Sequence, residues 1–194
     1  MKWTAPHYDE LFPLDIPNFG NRTARLIDET IEGGIGYTPE DGEILAQCVA
    51  NAGDGDYLEL GTLYGGSAIL AALTKKEWRL GGEVYCIDNL QMLSRTRKLI
   101  EDNAKKLGVK IHLKVADTYP NFPYPNAKFS CVLVDAAHDF YSVWQDWNNV
   151  KKVATKYVIF HDYDSCHPDI MKAVKMAEWY PVHISHHTAV LQRP

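Results

Sequence analysis

Long apolar runs, a basic excess and paired cysteines are all missing from this chain of 194 residues. No stretch approaches the roughly 20 apolar residues that a helix needs to span a bilayer. The N-terminus is polar and has no apolar signal core, so no membrane partner and no export signal are expected. With 20 Lys and Arg against 25 Asp and Glu, the formal charge is −5. A nucleic acid partner is not expected either, because a phosphate-binding footprint is usually basic. The four cysteines, Cys48, Cys86, Cys131 and Cys166, form no C-x-x-C pair, which removes the commonest redox and zinc spacings. Cys86 and Cys131 lie inside apolar strand runs, where a buried free thiol is ordinary, and a reducing, cytoplasmic setting is the expectation. The dinucleotide fingerprint G-x-G-x-x-G is also missing, as are low-complexity tracts and repeats.

What is present is a composition that is 46% hydrophobic, enough for one globular domain with a substantial core. Thr38-Pro39-Glu40-Asp41 reads as a helix start, with a capping threonine, proline at the first position and acids in the first turn. That helix carries Ile44, Leu45, Cys48 and Val49 at core spacing and stops near Gly53. Beyond it, strands over Tyr57–Gly61, Glu83–Asp88, Lys110–Ala116, Phe129–Val134 and Lys156–His161 alternate with helices over Ser67–Thr74, Gln91–Leu107, Phe140–Val153 and Asp169–Trp179. Ile111, Leu113 and Val115 alternate inward in the third strand, and a proline-rich connection, Tyr119–Lys128, precedes the fourth. Val182–Ser185 and Thr188–Gln192 read as a hairpin around His186-His187. Alternation of this kind predicts an α/β fold, a doubly wound, mostly parallel sheet with helices on both faces. Residues 1–36, with Pro6, Pro13, Pro17 and one helix over Thr23–Glu32, lie outside the alternation. A substrate lid, a homodimer contact and plain packing are all open for them.

Chemistry gathers at the strand ends. Tyr57-Leu58-Glu59-Leu60-Gly61-Thr62-Leu63-Tyr64-Gly65-Gly66-Ser67 is a strand that ends in an acid and a glycine, turns, and opens a helix. A strand end followed by a glycine-rich turn and a helix N-terminus suits a small anionic group. Glu59 would repel a pyrophosphate and attract an ammonium, so the expected ligand carries both a carboxylate and an ammonium, as an amino acid does. Asp88-Asn89 ends the second strand, where an acid can accept both hydroxyls of a ribose or cap the following helix. Asp117-Thr118 ends the third strand and reads equally as a turn before Pro120. The fourth strand ends in Asp135-Ala136-Ala137-His138 and the fifth in His161-Asp162. Both should open into the crevice where the strand order reverses, so Asp135, His138, His161 and Asp162 are the candidate catalytic residues.

The segment Glu59-Leu60-Gly61-Thr62, continued by Gly65-Gly66-Ser67, resembles motif I of the class I, Rossmann-like S-adenosylmethionine-dependent methyltransferases. It looks most like the small-molecule O-methyltransferase branch, and the resemblance covers roughly residues 38–192. It implies a seven-stranded sheet finished by a C-terminal antiparallel hairpin, with 37–194 as the S-adenosylmethionine-binding domain. Glu59, Gly61, Thr62, Gly65, Gly66 and Ser67 would hold the methionyl end, Asp88 and Asn89 the ribose, and Asp117 and Thr118 the adenine. Asp135 would border both cofactor and acceptor. The acceptor implied is a small hydroxylated molecule.

Methyl transfer to a hydroxyl requires that its proton be removed or weakened, by a base or a metal. His138 is the candidate base, since an imidazole exchanges protons under physiological conditions. Related metal-dependent enzymes place an acid after the fourth strand and an acidic or amide pair after the fifth, which would make Asp135, His161 and Asp162 ligands of Mg or Mn. The first of that pair is here His161, a departure from the oxygen donors magnesium prefers. Asn121-Phe122-Pro123-Tyr124 resembles the Asn-Pro-Pro-Tyr loop of amino-group methyltransferases, but it lacks the first proline and precedes the fourth strand. Trp144 and Trp147 with Val143 and Val150 form a helical stripe that reads as core. Cys166-His167 and the trio His183, His186 and His187 lack closed zinc spacing. Two other readings stay open: an NAD(P)-dependent Rossmann oxidoreductase, and a non-catalytic S-adenosylmethionine-binding protein.

Overall fold

The computed structural model describes residues 18–91, 97–185 and 187–194. In chain order these form α1 (Phe19–Thr30), α2 (Pro39–Ala52), β1 (Asp56–Leu60), α3 (Gly66–Glu77), β2 (Val84–Asp88), α4 (Arg97–Lys106), β3 (His112–Val115), β4 (Phe129–Val134), α5 (Phe140–Val153), β5 (Ala154–His161), α6 (Pro168–Met176), β6 (Tyr180–Ile184) and β7 (Thr188–Gln192). The strands make one sheet in the order β3-β2-β1-β4-β5-β7-β6. β1 to β5 run parallel, and β7 is antiparallel to both β5 and β6. The order reverses between β1 and β4. Leu60 is in register with Ile87 on one side and Val134 on the other, so three strands end level at the crevice where α/β sheets bind ligands.

Alternate residues of each central strand go to opposite faces, as the pleat requires. Tyr57, Cys86, Cys131, Leu133 and Ile159 join the core under α1 to α4, while Leu58, Leu60, Ile87, Val132 and Phe160 join the core under α5 and α6. The central strand β4 is buried at every position, consistent with a parallel strand covered on both faces. The described part of the N-terminal segment belongs to the first of these cores. Ala24, Ile27, Ile31 and Ile35 pack there with Leu45 and Ile69. Gly20 lets α1 approach α2 closely, since a β-carbon on it would lie 2.4 Å from the Gly42 carbonyl oxygen.

Several expectations shift in detail. Val115, expected to point inward, is 41% exposed; it ends β3, an edge strand with a neighbour on one side only. α6 stops at Met176 instead of reaching Trp179, because Ala177 is extended and Trp179 turns back edge-on to Trp147, ring centroids 5.4 Å apart. Trp147, Val143 and Val150 are buried as the stripe predicted, whereas Trp144 is only partly buried and stacks on Phe140. α4 is described from Arg97; the beginning of its expected span falls outside the described residues, as do Pro6, Pro13, Pro17 and His186. Among the described residues no helix is long and apolar enough to cross a membrane.

Candidate active site

A cavity of about 470 Å³ opens at the carboxyl ends of β1, β2, β4 and β5, within the range usual for small-molecule and cofactor sites. Gly61, Thr62 and Ser67 line it from the first turn, Asp88 and Asn89 from the end of β2, and Asp117 and Thr118 from the end of β3. Asp135, His138, His161 and Asp162 close the far side. Most of the residues singled out at the strand ends therefore line one cavity. Glu59, Gly65 and Gly66 do not line it.

Each exception has a local cause. Gly65 caps α3 with φ 89°, a conformation that favours glycine. Gly66 is pressed against the N-terminal segment, where a β-carbon would meet the Ile35 Cα at 2.4 Å. Glu59 is fully buried behind the turn. Its Oε2 accepts from the Tyr57 hydroxyl at 3.0 Å, and its Oε1 is buried without a hydrogen-bond partner. Burial pushes its carboxyl up to about 8, opposed by the Ser67 and Tyr57 hydroxyls. An unsatisfied buried acid of this kind suits an ammonium group.

Gly61 ties the first turn to the end of β4. With φ 83°, a β-carbon there would lie 2.2 Å from the Asp135 carbonyl oxygen. Asp88 holds the same turn from the other side, its Oδ2 accepting from the Thr62 and Leu63 amides at 2.9 and 3.1 Å and its Oδ1 from the Leu90 amide at 2.6 Å. The carboxylate thus organises the turn as well as facing the cavity. At the β3 end, the Asn89 Nδ2 donates to Asp117 at 2.9 Å.

On the opposite wall, His161 sits among three acids. Its Nδ1 is 3.4 Å from both Asp135 Oδ1 and Asp162 Oδ1, and its Nε2 is 3.8 Å from Asp41 Oδ2. Burial opposes a charge on the ring, yet hydrogen bonding to Asp135, Asp162 and Asp41 outweighs it and raises His161 to about 12. Tyr37 stacks on this ring, centroids 4.0 Å apart and planes at 14°, and its hydroxyl donates to Asp135 Oδ2 at 3.0 Å. Asp41 is 2% exposed and accepts from the Thr38 and Thr188 hydroxyls. Burial works against its ionised form, but His161, Thr188 and Thr38 bring it down to about 2.

Tyr37 and Asp41 do not stand out in the sequence as site residues. Asp41 is legible there only as an acid in the first turn of α2, where its amide does bond the Thr38 hydroxyl at 3.2 Å. Its second role needs Thr188 and His161, which arrive more than a hundred residues later.

Asp135, His161 and Asp162 each offer a donor atom within 4.8 Å of the others. His161 is ion-paired with both carboxylates, so an ion held by this set would take the place of the ring proton, and its one nitrogen donor suits a transition metal better than magnesium. His138 joins this network at its exposed end, through Asp162. Its Nε2 lies 3.0 Å from Asp162 Oδ2 and its side chain is half exposed. Asp162 adopts φ 54°, a backbone strain of the sort found at functional sites.

A family model described as a methyltransferase domain matches residues 58–163, from the Glu59 strand to the loop after Asp162. No curated protein sequence matches the chain. Among solved structures, the cofactor-bound Rv0187 from MTB is 15% identical, with a TM-score of 0.62 over 95% of this chain and 93% of that one. An O-methyltransferase from Bacillus cereus in complex with SAH is 12% identical, with a TM-score of 0.62 over 95% of this chain and 94% of that one. The O-methyltransferase TomG from Streptomyces achromogenes, involved in tomaymycin synthesis and solved with SAM, is 16% identical, with a TM-score of 0.58 over 96% and 94%. At these identities the structural likeness speaks for the fold, and the family match, which spans more than half of the sequence, speaks for the activity class. The chain belongs to the methyltransferase-domain family, the class I S-adenosylmethionine-dependent methyltransferases that its strand-end motifs resemble.

Proposed function

We infer that this S-adenosylmethionine-dependent methyltransferase transfers the methyl group to a hydroxyl of a small molecule, with His138 as the base. The observation that carries this reading is the His138–Asp162 pair at the cavity wall, 3.0 Å between Nε2 and Oδ2. With Nε2–H donated to Asp162, the lone pair is on Nδ1, the arrangement by which an acid orients a catalytic imidazole. The bound cofactor supplies an electrophilic methyl carbon on a sulfonium. His138 takes the acceptor's O–H proton while the oxygen–carbon bond forms and the carbon–sulfur bond breaks. Asp162 steadies the imidazolium that results.

The remaining residues bind and orient. Glu59, acting beneath Ser67, is suited to the ammonium of the methionyl group. Asp88 is suited to the ribose, and Asp117 with Thr118 to the adenine amine. His161, locked in its ion pairs, fixes Asp135 and Asp162 and is not free to serve as the base. Two of the structural neighbours are named as O-methyltransferases, which agrees with the hydroxyl reading.

The test is S-adenosylhomocysteine release over a panel of phenols, catechols and sugar alcohols, each matched with its amine analogue. Hydroxyl compounds are expected to turn over and the amines are not. His138→Ala is expected to slow turnover by about 10²–10⁴-fold, with S-adenosylhomocysteine affinity unchanged. Turnover of the amines alone, or an unaffected variant, would overturn the reading. Nicotinamide chemistry would show instead as NADH binding, and a non-catalytic binder as affinity for S-adenosylhomocysteine with no release from any acceptor.

A further inference from the structure

At the cavity wall a second group of metal-ligating side chains shares His138 and Asp162 with the proposed methyl transfer and adds His167, which that reaction does not use. His138, Asp162 and His167 come from three different segments: the loop after β4, the end of β5 and the start of α6. One donor atom of each lies within 4.8 Å of the others. In the sequence, Cys166-His167 has no zinc spacing and gives no hint of a site. The fold supplies what spacing does not, bringing the His167 ring to 4.7 Å from that of His138.

We propose that His138, Asp162 and His167 form a binding site for a transition-metal ion such as Zn²⁺, and that the ion and the proton-accepting form of His138 exclude each other. Two nitrogens and one carboxylate are a borderline donor set that favours Zn²⁺ over Mg²⁺. Ligands about 2.0–2.1 Å from a tetrahedral ion stand roughly 3.3 Å from one another. The 3.0 Å between His138 Nε2 and Asp162 Oδ2 is close to that separation, and the His167 donor lies within 4.8 Å of both residues' donors. The surroundings are those of a supported site. Asp164 Oδ1 lies 3.1 Å from His167 Nδ1, which directs Nε2 of that ring outward, as carboxylates do behind metal-bound histidines. Asp162 is braced from behind by His161. Asp164 is itself fixed by the Cys166 and His167 amides at 2.8 and 3.1 Å.

The exclusion follows from the tautomer and rests on the reading of His138 as base. An ion on Nε2 uses that lone pair and leaves the ring's single proton on Nδ1. The nitrogen that would accept the acceptor's proton becomes a donor instead.

Zn²⁺ binding to the full chain is measured by calorimetry, with Co²⁺ absorption as the spectroscopic probe. One ion per chain is expected, weakened about tenfold or more in His167→Ala and His167→Gln and unchanged in His112→Ala. The side chain of His167 makes no capping hydrogen bond, so its loss leaves α6 intact. Diethyl pyrocarbonate labelling read by mass spectrometry is expected to show Zn²⁺ protecting His138 and His167 together while His112 still reacts. Absence of binding, binding unaffected by the His167 variants, or protection of neither histidine would overturn the site. These readouts need no turnover. A His138→Ala protein that loses the ion but keeps methyl transfer would sink the base assignment and leave the site standing.

Discussion

The two walls of the cavity hold acids in opposite electrostatic states. Under the first turn, Glu59 has hydroxyl partners but no ion pair among the described residues: it is fully buried, one oxygen unpartnered, its carboxyl raised to about 8 by burial. Across the cavity, Asp135, Asp162 and Asp41 surround His161, whose ring is raised by hydrogen bonds to them, while Asp41 and Asp162 are lowered by the same contacts. Burial acts against charge in both places. What differs is a partner, because one wall contains its own cation and the other lacks one. One wall balances its acids with its own countercharge, and the other leaves its acid without one.

Gly61 is where the walls touch, so its substitution breaks the comparison altogether. In Gly61→Ala the new β-carbon would stand 2.2 Å from the Asp135 carbonyl oxygen, on a backbone with φ 83°. Strain and overpacking together are expected to cost about 3 kcal/mol or more. A chemical-denaturation midpoint should fall accordingly, and S-adenosylhomocysteine binding should be lost. A variant with unchanged midpoint and affinity would mean that the two strand ends can part freely.

Removing the internal cation tests the second wall alone. His161→Ala leaves three carboxylates facing one another and is expected to lose about 3 kcal/mol at neutral pH, the usual result of removing one partner of a buried ion pair. The pH dependence fixes the sign. His161 is raised above its ordinary value, so its contribution is whole below about pH 6.5 and fades only as the pH climbs toward 12. Asp41 is lowered, so its contribution is whole above about pH 4 and fades as the pH falls toward 2. Melting temperatures of wild type and variant should therefore differ most between about pH 4 and 6.5 and converge in acid. A constant gap down to pH 2 would show that the ring acts by packing alone.

The unequal legibility of the two walls has the same physical origin. Glu59, Gly61, Asp88 and Asp135 are readable because each sits on a strand end whose place in a parallel sheet is set by periodicity and by the turn that follows. Even the helix start at Thr38 is legible, since a cap is local chemistry. Tyr37, Asp41 and Thr188 are not. The Asp41–Thr188 bond joins residues 147 positions apart, and no local pattern encodes it or the contact of these residues with His161. The same holds for His167, whose neighbour in sequence is uninformative and whose neighbour in space is His138. Glu59 itself is legible in identity but not in depth: its alternation on β1 sends it beneath the cavity wall, where it is fully buried.

Glu59→Gln is the smallest and most specific test, because it keeps the shape and removes the charge. Between about pH 4.5, its ordinary value, and about 8, the folded protein holds a proton that the unfolded chain has released. Wild-type stability should therefore fall across that window, while the glutamine variant escapes the effect. By pH 8 the variant is expected to be the more stable of the two, since the wild type must hold against release the proton that the unfolded chain has already lost. Binding should move the other way. An ammonium beside Glu59 favours the ionised form, so wild-type affinity for S-adenosylhomocysteine should rise from pH 6 to 8 with release of a proton, and the variant should bind roughly tenfold more weakly without that release. Calorimetry in buffers of different ionisation enthalpy reads the proton directly. A variant that is more stable but binds equally well, with the same proton count, would mean that Glu59 is only a buried acid and that the first wall needs no cation.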